Sequence, residues 1–129
     1  MTSSFSLNSY SDDRGTLIEV MKFQSFKMPP GGQVYCFTIK KGKVRGNHFH
    51  KEKKEWFVCV SGSATLITQK DGKKLVYLMS SKIPVLFYME PYMVHTLTND
   101  SDADAVIISY SSKEFDPGFP DTYREVIYA

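Results

Sequence analysis

Apolar and polar residues alternate in short stretches along most of the chain, with turn-forming residues between them. A period of two places one set of side chains on a buried face and the other in solvent, which is the pattern of β-strands. The expected strands are Thr16–Lys22, Gln33–Lys40, Val44–His50, Glu55–Val60, Ser63–Gln69, Lys74–Leu78, Val85–Met89, His95–Asn99 and Ala105–Tyr110. Between them stand Pro29-Pro30-Gly31-Gly32, Lys41-Gly42, Ser61-Gly62, Asp71-Gly72, Ser80-Ser81 and Asn99-Asp100-Ser101-Asp102. Asp71-Gly72 between two alternating stretches is a strong hairpin signal. No segment before residue 112 has a helical period, and many short strands at this spacing predict an antiparallel sandwich or barrel. The tail from Glu114 carries Asp116-Pro117-Gly118 and Pro120-Asp121, which predicts an irregular C-terminal arm ending in a short strand or helical turn. With no internal repeat or linker, the chain reads as a single all-β domain over residues 1–129.

Composition narrows the function. Sixteen Lys and Arg against fourteen Asp and Glu leave a net charge of +2, and 42% of the 129 residues are hydrophobic. That balance argues against a dedicated nucleic-acid binder and against disorder. No apolar run approaches the roughly 18 residues of a membrane span. The N-terminal residues lack a basic region followed by an apolar stretch, so the expected location is cytoplasmic. Cys36 and Cys59 stand in apolar stretches and read as buried, reduced thiols.

The chain has three histidines, and their placement carries the chemistry. His48 and His50 are two residues apart on one expected strand, so both rings face the same way. Lys51 to Lys54 read as a turn that returns Glu55 on a neighbouring strand, and His95 is expected to close the group from across the barrel. Three imidazoles and a carboxylate suit a divalent first-row metal such as zinc, nickel, iron or manganese. A single buried histidine is more often only a hydrogen-bonded side chain, so the argument rests on the whole spacing.

That spacing, Gly42-x5-His48-x-His50-x4-Glu55-x6-Gly62, resembles the first motif of the cupin superfamily without a gap. His95 and Asn99 resemble the second motif, which here has Glu90 and Tyr92 in place of its usual Pro and Gly. The resemblance implies a cupin β-barrel of the double-stranded β-helix, or jelly-roll, type. Further elements are Ser4-Phe5-Ser6, Asp12-Asp13-Arg14-Gly15, Glu19, Arg45-Gly46-Asn47-His48-Phe49-His50, Val60-Ser61-Gly62 and Phe115-Asp116-Pro117-Gly118-Phe119-Pro120-Asp121-Thr122-Tyr123. Together they resemble the C-terminal cupin domain of bifunctional capsular polysaccharide enzymes, which epimerise and then reduce UDP-4-keto-6-deoxy hexosamines. More widely the chain is similar to dTDP-4-dehydrorhamnose 3,5-epimerases and dTDP-sugar 3,4-ketoisomerases.

The resemblance implies a nucleotide-sugar epimerase or isomerase acting beside the ketone of an NDP-4-keto-6-deoxyhexose in bacterial capsule or O-antigen synthesis, with epimerisation at C3 expected first. A 3,4-ketoisomerase is the alternative, and a non-catalytic metal- and sugar-binding cupin is the second. It assigns Arg14, Glu19 and Arg45 to the nucleotide, with Asn47, between Arg45 and His48, joining them in substrate binding. It assigns one divalent metal, zinc first, to His48, His50, Glu55 and His95. In a metal-free scheme His50 is the base, supported by His48, with Tyr35 or Tyr92 as proton donor. Lys53 is kept as a phosphate or proton-transfer residue, because the capsular family places a Lys there. The expected partners are a nucleotide-diphosphate sugar and a second copy of the chain, with neither nucleic acid nor membrane. A reductase or aminotransferase of the pathway is expected to be a separate protein, since the chain lacks a Gly-rich phosphate loop.

Overall fold

The computed structural model describes residues 4–129. Twelve strands are present among them: β1 (Ser4–Ser6), β2 (Ser9–Asp12), β3 (Gly15–Ile18), β4 (Gln33–Ile39), β5 (Val44–Phe49), β6 (Glu55–Ser61), β7 (Ser63–Lys70), β8 (Lys73–Ser80), β9 (Val85–Met89), β10 (Val94–Thr98), β11 (Ala105–Ser111) and β12 (Tyr123–Arg124). Two five-stranded antiparallel sheets, ordered β1-β9-β6-β11-β4 and β12-β5-β10-β7-β8, form the cupin-type barrel, and β2 and β3 make a separate hairpin. Among the described residues no helix is long and apolar enough to cross a membrane.

Alternation explains the core. Phe57 and Cys59 of β6, Leu66 of β7, Phe87 and Met89 of β9, Leu97 of β10 and Ile107 of β11 form one buried cluster. Trp56 and Val58, the intervening positions of β6, join Leu86 and Tyr110 in a second cluster, covered by Phe5, Val20, Met21, Phe26 and Met28. Both faces of β6 are therefore buried, and its five residues Glu55 to Cys59 are continuously inaccessible. The Tyr110 hydroxyl donates to the carbonyls of Pro29 and Gly31 and ties the covering segment down. The Asp71-Gly72 turn has φ of +51° and +76° and joins β7 to β8 in register, as its sequence predicts.

Three expectations change. Residues 4–12 contribute β1 and β2, which were too short and polar to predict, whereas the expected strand at Thr16–Lys22 ends at Ile18. Cys36 is exposed, because β4 presents Val34, Cys36 and Thr38 outward. Glu55 does not return beside His50 in the same sheet, since β5 and β6 belong to opposite sheets. The Lys51–Lys54 segment crosses the barrel.

Candidate active site

The sheet pairing settles how the histidines meet. His95 on β10 stands directly opposite His48 on β5 in one sheet, so it is a strand neighbour and does not reach from across the barrel. Glu55 is the residue that crosses, from β6 of the facing sheet. The β5–β10 ladder slips between His95 and Thr96, leaving Asn47 as an extra residue at φ +57°. Such a bulge re-aims the side chains beside it, and Asn accepts a positive φ more readily than most residues. His48 and His50 both face the cluster, their ring centroids 5.0 Å apart, while the ring of His48 lies 4.7 Å from that of His95.

One ligand atom from each of His48, His50, Glu55 and His95 lies within 4.8 Å of the others. His50 Nδ1 lies 2.7 Å from the Asp121 carbonyl oxygen, and His95 Nδ1 lies 3.2 Å from that of Met93. A carbonyl only accepts, so each Nδ1 carries the proton and donates. Each Nε2 then faces Glu55 Oε1, at 2.8 Å for His50 and 3.4 Å for His95. The His95 Nε2 is buried without a hydrogen-bond partner. Nitrogen and carboxylate donors converging in this way suit a cation between them, and backbone carbonyls that accept the other ring N–H are usual outer partners of metal-ligating histidines. The residues present fit a divalent ion.

Tyr35 on β4 donates its hydroxyl proton to Glu55 Oε2 at 2.6 Å. Burial raises the Tyr35 pKa, and the adjacent carboxylate raises it further, so the phenol keeps its proton at neutral pH. Burial also works to raise the Glu55 pKa, but in a metal-free cluster donation from the facing His50 and His95 outweighs it and holds the carboxyl well below its ordinary value. Burial, then the proximity of His95 and His50, pushes His48 down to about 3. His48 is thus a neutral imidazole at pH 7.

The cluster opens into a cavity of about 250 Å³ walled by Tyr35, Phe37, Arg45, His48, Phe57 and Leu97. Arg45 sits at its rim, its guanidinium 5.4 Å from the centre of the Phe37 ring and its Nε donating to the Thr38 carbonyl at 2.8 Å. A second cavity of about 280 Å³ shares Tyr35 and Glu55 with the first and adds Lys53, Lys113 and Phe115.

The fold thus brings together Tyr35, Arg45, His48, His50, Glu55 and His95, with Lys53 beside them. Four other predicted residues lie elsewhere. Arg14 is on the exposed β2–β3 hairpin, paired with Asp12 at 2.6 Å, and Glu19 follows the hairpin, paired with Lys22 at 3.1 Å. Tyr92 is 56% exposed and stacks on Phe49, whose side chain alternates away from His48. Asn47 is buried, its amide occupied by Thr96, by the N–H groups of Ile127 and Tyr128, and by the Tyr128 carbonyl. The bulge turns Asn47 toward the arm instead of the cavity. Asp121, which sequence reasoning gave no role, touches the cluster through its carbonyl. The motif containing it was visible, but nothing local tells that the arm folds back onto His50.

Comparison with known proteins gives the chain a family and a fold. Residues 10–123 match the polysaccharide biosynthesis C-terminal domain family. The chain is 30% identical over 122 residues to a UDP-2-acetamido-2,6-beta-L-arabino-hexul-4-ose reductase of Pseudomonas aeruginosa, covering 93% of this chain and 32% of that protein. It is similar to the capsular polysaccharide assembling protein CapF of Staphylococcus aureus, with a TM-score of 0.72 and 30% identity over 95% of this chain and 32% of that one. It also resembles the fold of ChmJ, a 3'-monoepimerase of Streptomyces bikiniensis, with a TM-score of 0.82 and 19% identity over 95% of this chain and 68% of that one. The chain spans about a third of the length of the first two proteins. On the match across residues 10–123, it belongs to the polysaccharide biosynthesis C-terminal domain family.

Proposed function

We propose that this domain moves a proton beside the C4 ketone of an NDP-4-keto-6-deoxyhexose, and that the outcome is epimerisation at C3. The observation that carries the reading is the buried Tyr35–Glu55–histidine cluster at the base of a cavity whose rim holds Arg45. A ketone acidifies the neighbouring C–H, so the reaction needs an acid, a base and a means of stabilising the oxyanion. Tyr35, held protonated by burial and Glu55, is placed to give a proton. Arg45, fixed against Phe37 and the Thr38 carbonyl, presents a planar donor set suited to a diphosphate. Phe37, Phe57 and Leu97 give the cavity an apolar wall against which the sugar ring would pack.

His48, His50, Glu55 and His95 would hold a divalent ion, zinc first, which supplies Lewis-acid stabilisation of the oxyanion when bound. Their nitrogens are then occupied, and proton transfer falls to Tyr35 and Lys53, both beside Glu55. In a metal-free site His50 is the base instead. The two schemes exclude each other at His50 Nε2, and elemental analysis of the purified protein separates them.

A homodimer is part of the same reading. An isolated two-stranded hairpin is marginally stable in water, yet β2–β3 stands apart from both sheets with the cross-strand pair Tyr10 and Leu17 at 58% and 59% exposure. A second copy covering that hairpin would bury both and would fix Arg14 and Glu19; light scattering tests the mass.

The activity test is NMR in deuterated water with a UDP-4-keto-6-deoxy hexosamine, then its dTDP hexose counterpart. Deuterium at C3 with inversion supports the proposal. A product with its ketone at C3 means ketoisomerisation, and no exchange with either sugar overturns the reading.

A further inference from the structure

The Lys51–Lys54 segment determines how far His50 in one sheet lies from Glu55 in the other, yet it has no ladder partner of its own. Lys54 is tied to Ser112, whose Oγ accepts its N–H at 2.9 Å and whose N–H donates to its carbonyl, but the N–H groups of the three residues before it are held by one side chain 68 to 70 residues away. Asp121 Oδ1 accepts the Lys51 N–H at 2.8 Å, and Oδ2 accepts those of Glu52 and Lys53 at 3.0 and 2.9 Å. The same residue's carbonyl accepts the His50 Nδ1–H at 2.7 Å. Asp121 is 5% exposed and has φ of +49°, a backbone conformation that aims its carboxylate and its carbonyl at the same loop.

The arm is anchored on both sides of this contact. Tyr123 and Arg124 pair with Phe49 and His48 as β12, and the Asn47 amide holds residues 127 and 128. Burial alone would raise the Asp121 pKa, but the N–H groups of Lys53, Lys51 and Glu52 outweigh it and hold the carboxyl below its ordinary value. A charged acceptor is what three converging N–H groups require, and buried N–H groups left without one are costly.

We propose that Asp121 is a positioning residue of the histidine cluster: its carboxylate fixes the 51–53 backbone that spans the two sheets, and its carbonyl fixes the proton of His50 on Nδ1, leaving Nε2 to face Glu55. The role makes the C-terminal arm part of the site. Its value to catalysis rests on the cluster being the reactive site, but the His50 proton position does not.

The test compares the full-length wild type with Asp121→Ala and Asp121→Asn by two readouts. Long-range proton–nitrogen NMR of ¹⁵N-histidine protein reports which ring nitrogen of His50 is protonated, and chelator competition with zinc alone reports affinity. The wild type is expected to show a protonated Nδ1. Asp121→Ala keeps the backbone carbonyl but frees the 51–53 backbone that aligns it, so it is expected to weaken that signature and to bind zinc about 10- to 100-fold more weakly, the usual range for an outer partner of a ligand. Asp121→Asn keeps one carbonyl acceptor and should fall between, which preserves the test if the alanine variant does not fold. Tyr110→Phe, which loosens the Pro29–Gly31 anchor away from the cluster, should lower stability and leave both readouts unchanged. Wild-type signals in both Asp121 variants, or an equal loss in Tyr110→Phe, overturn the proposal. If wild-type protein binds no zinc, the metal reading fails, and the His50 signal alone decides the role of Asp121.

Discussion

Gly46 gives the sharpest test of how the site is assembled. It has φ of +102° and pairs with Thr96 across the bulge. A Cβ at this position would lie 2.6 Å from the His95 carbonyl oxygen and 3.1 Å from Thr96 Cα, both backbone atoms that cannot rotate away. Gly46→Ala therefore forces β5 and β10 apart at the point where His48 and His95 face each other. Backbone strain at such a φ costs about 1–3 kcal/mol, and relieving the overpacking costs about 1–3 kcal/mol more. The expected loss is about 2–6 kcal/mol, a large share of the roughly 5–15 kcal/mol that holds a typical domain together. Gly42→Ala is the control, because Gly42 has φ of +75° but nothing within 4 Å of the added carbon. Strain without a clash should cost about 1–2 kcal/mol there. Urea unfolding of the two variants isolates the clash, and zinc competition on folded Gly46→Ala protein reports whether His95 has moved. Equal unfolding midpoints for the two variants would refute the claim that close strand approach at Gly46 builds the site.

Other outcomes follow from the same geometry. The unfolded chain protonates His48 below about pH 6.5 whereas the folded one resists to about 3, so the unfolded state holds more protons in that window and stability falls as the pH drops through it. His48→Gln should flatten this dependence, read from urea midpoints between about pH 7 and about pH 4. Tyr35→Phe removes the donor to buried Glu55 and should cost about 1–3 kcal/mol, with deuterium exchange at C3 slowed about 10²- to 10⁴-fold; unchanged exchange removes Tyr35 from the chemistry. Phe57→Ala takes a ring that is 2% exposed and packed edge-on to His95 out of the inter-sheet core. It should cost about 3–5 kcal/mol by thermal or urea unfolding.

Local rules made much of the fold legible. The period of two, the Asp71-Gly72 turn and the apolar runs placed nine strands, and the two-residue spacing of His48 and His50 put both rings on one face, because each signal acts within a few residues. The β1 strand is three residues long and is held by pairing with β9 and by Phe5 against the second cluster, both contacts with distant residues, so its own sequence carries little signal. The local spacing of His48, His50 and Glu55 also named the donors without saying which sheet each occupies.

Sequence alone therefore determined an all-β chain, the three histidines and the glutamate that cluster, and the family motifs, since these depend on side-chain identity and short-range periodicity. Tertiary structure decided the rest. It made His95 the strand neighbour of His48, carried Glu55 in from the opposite sheet, turned Asn47 toward the arm at a bulge, left Arg14 on an open hairpin and brought Asp121 onto the loop after His50. Each of those outcomes depends on strand order or on contacts between residues far apart in the chain, and such contacts form only where two sheets and an arm close around one another.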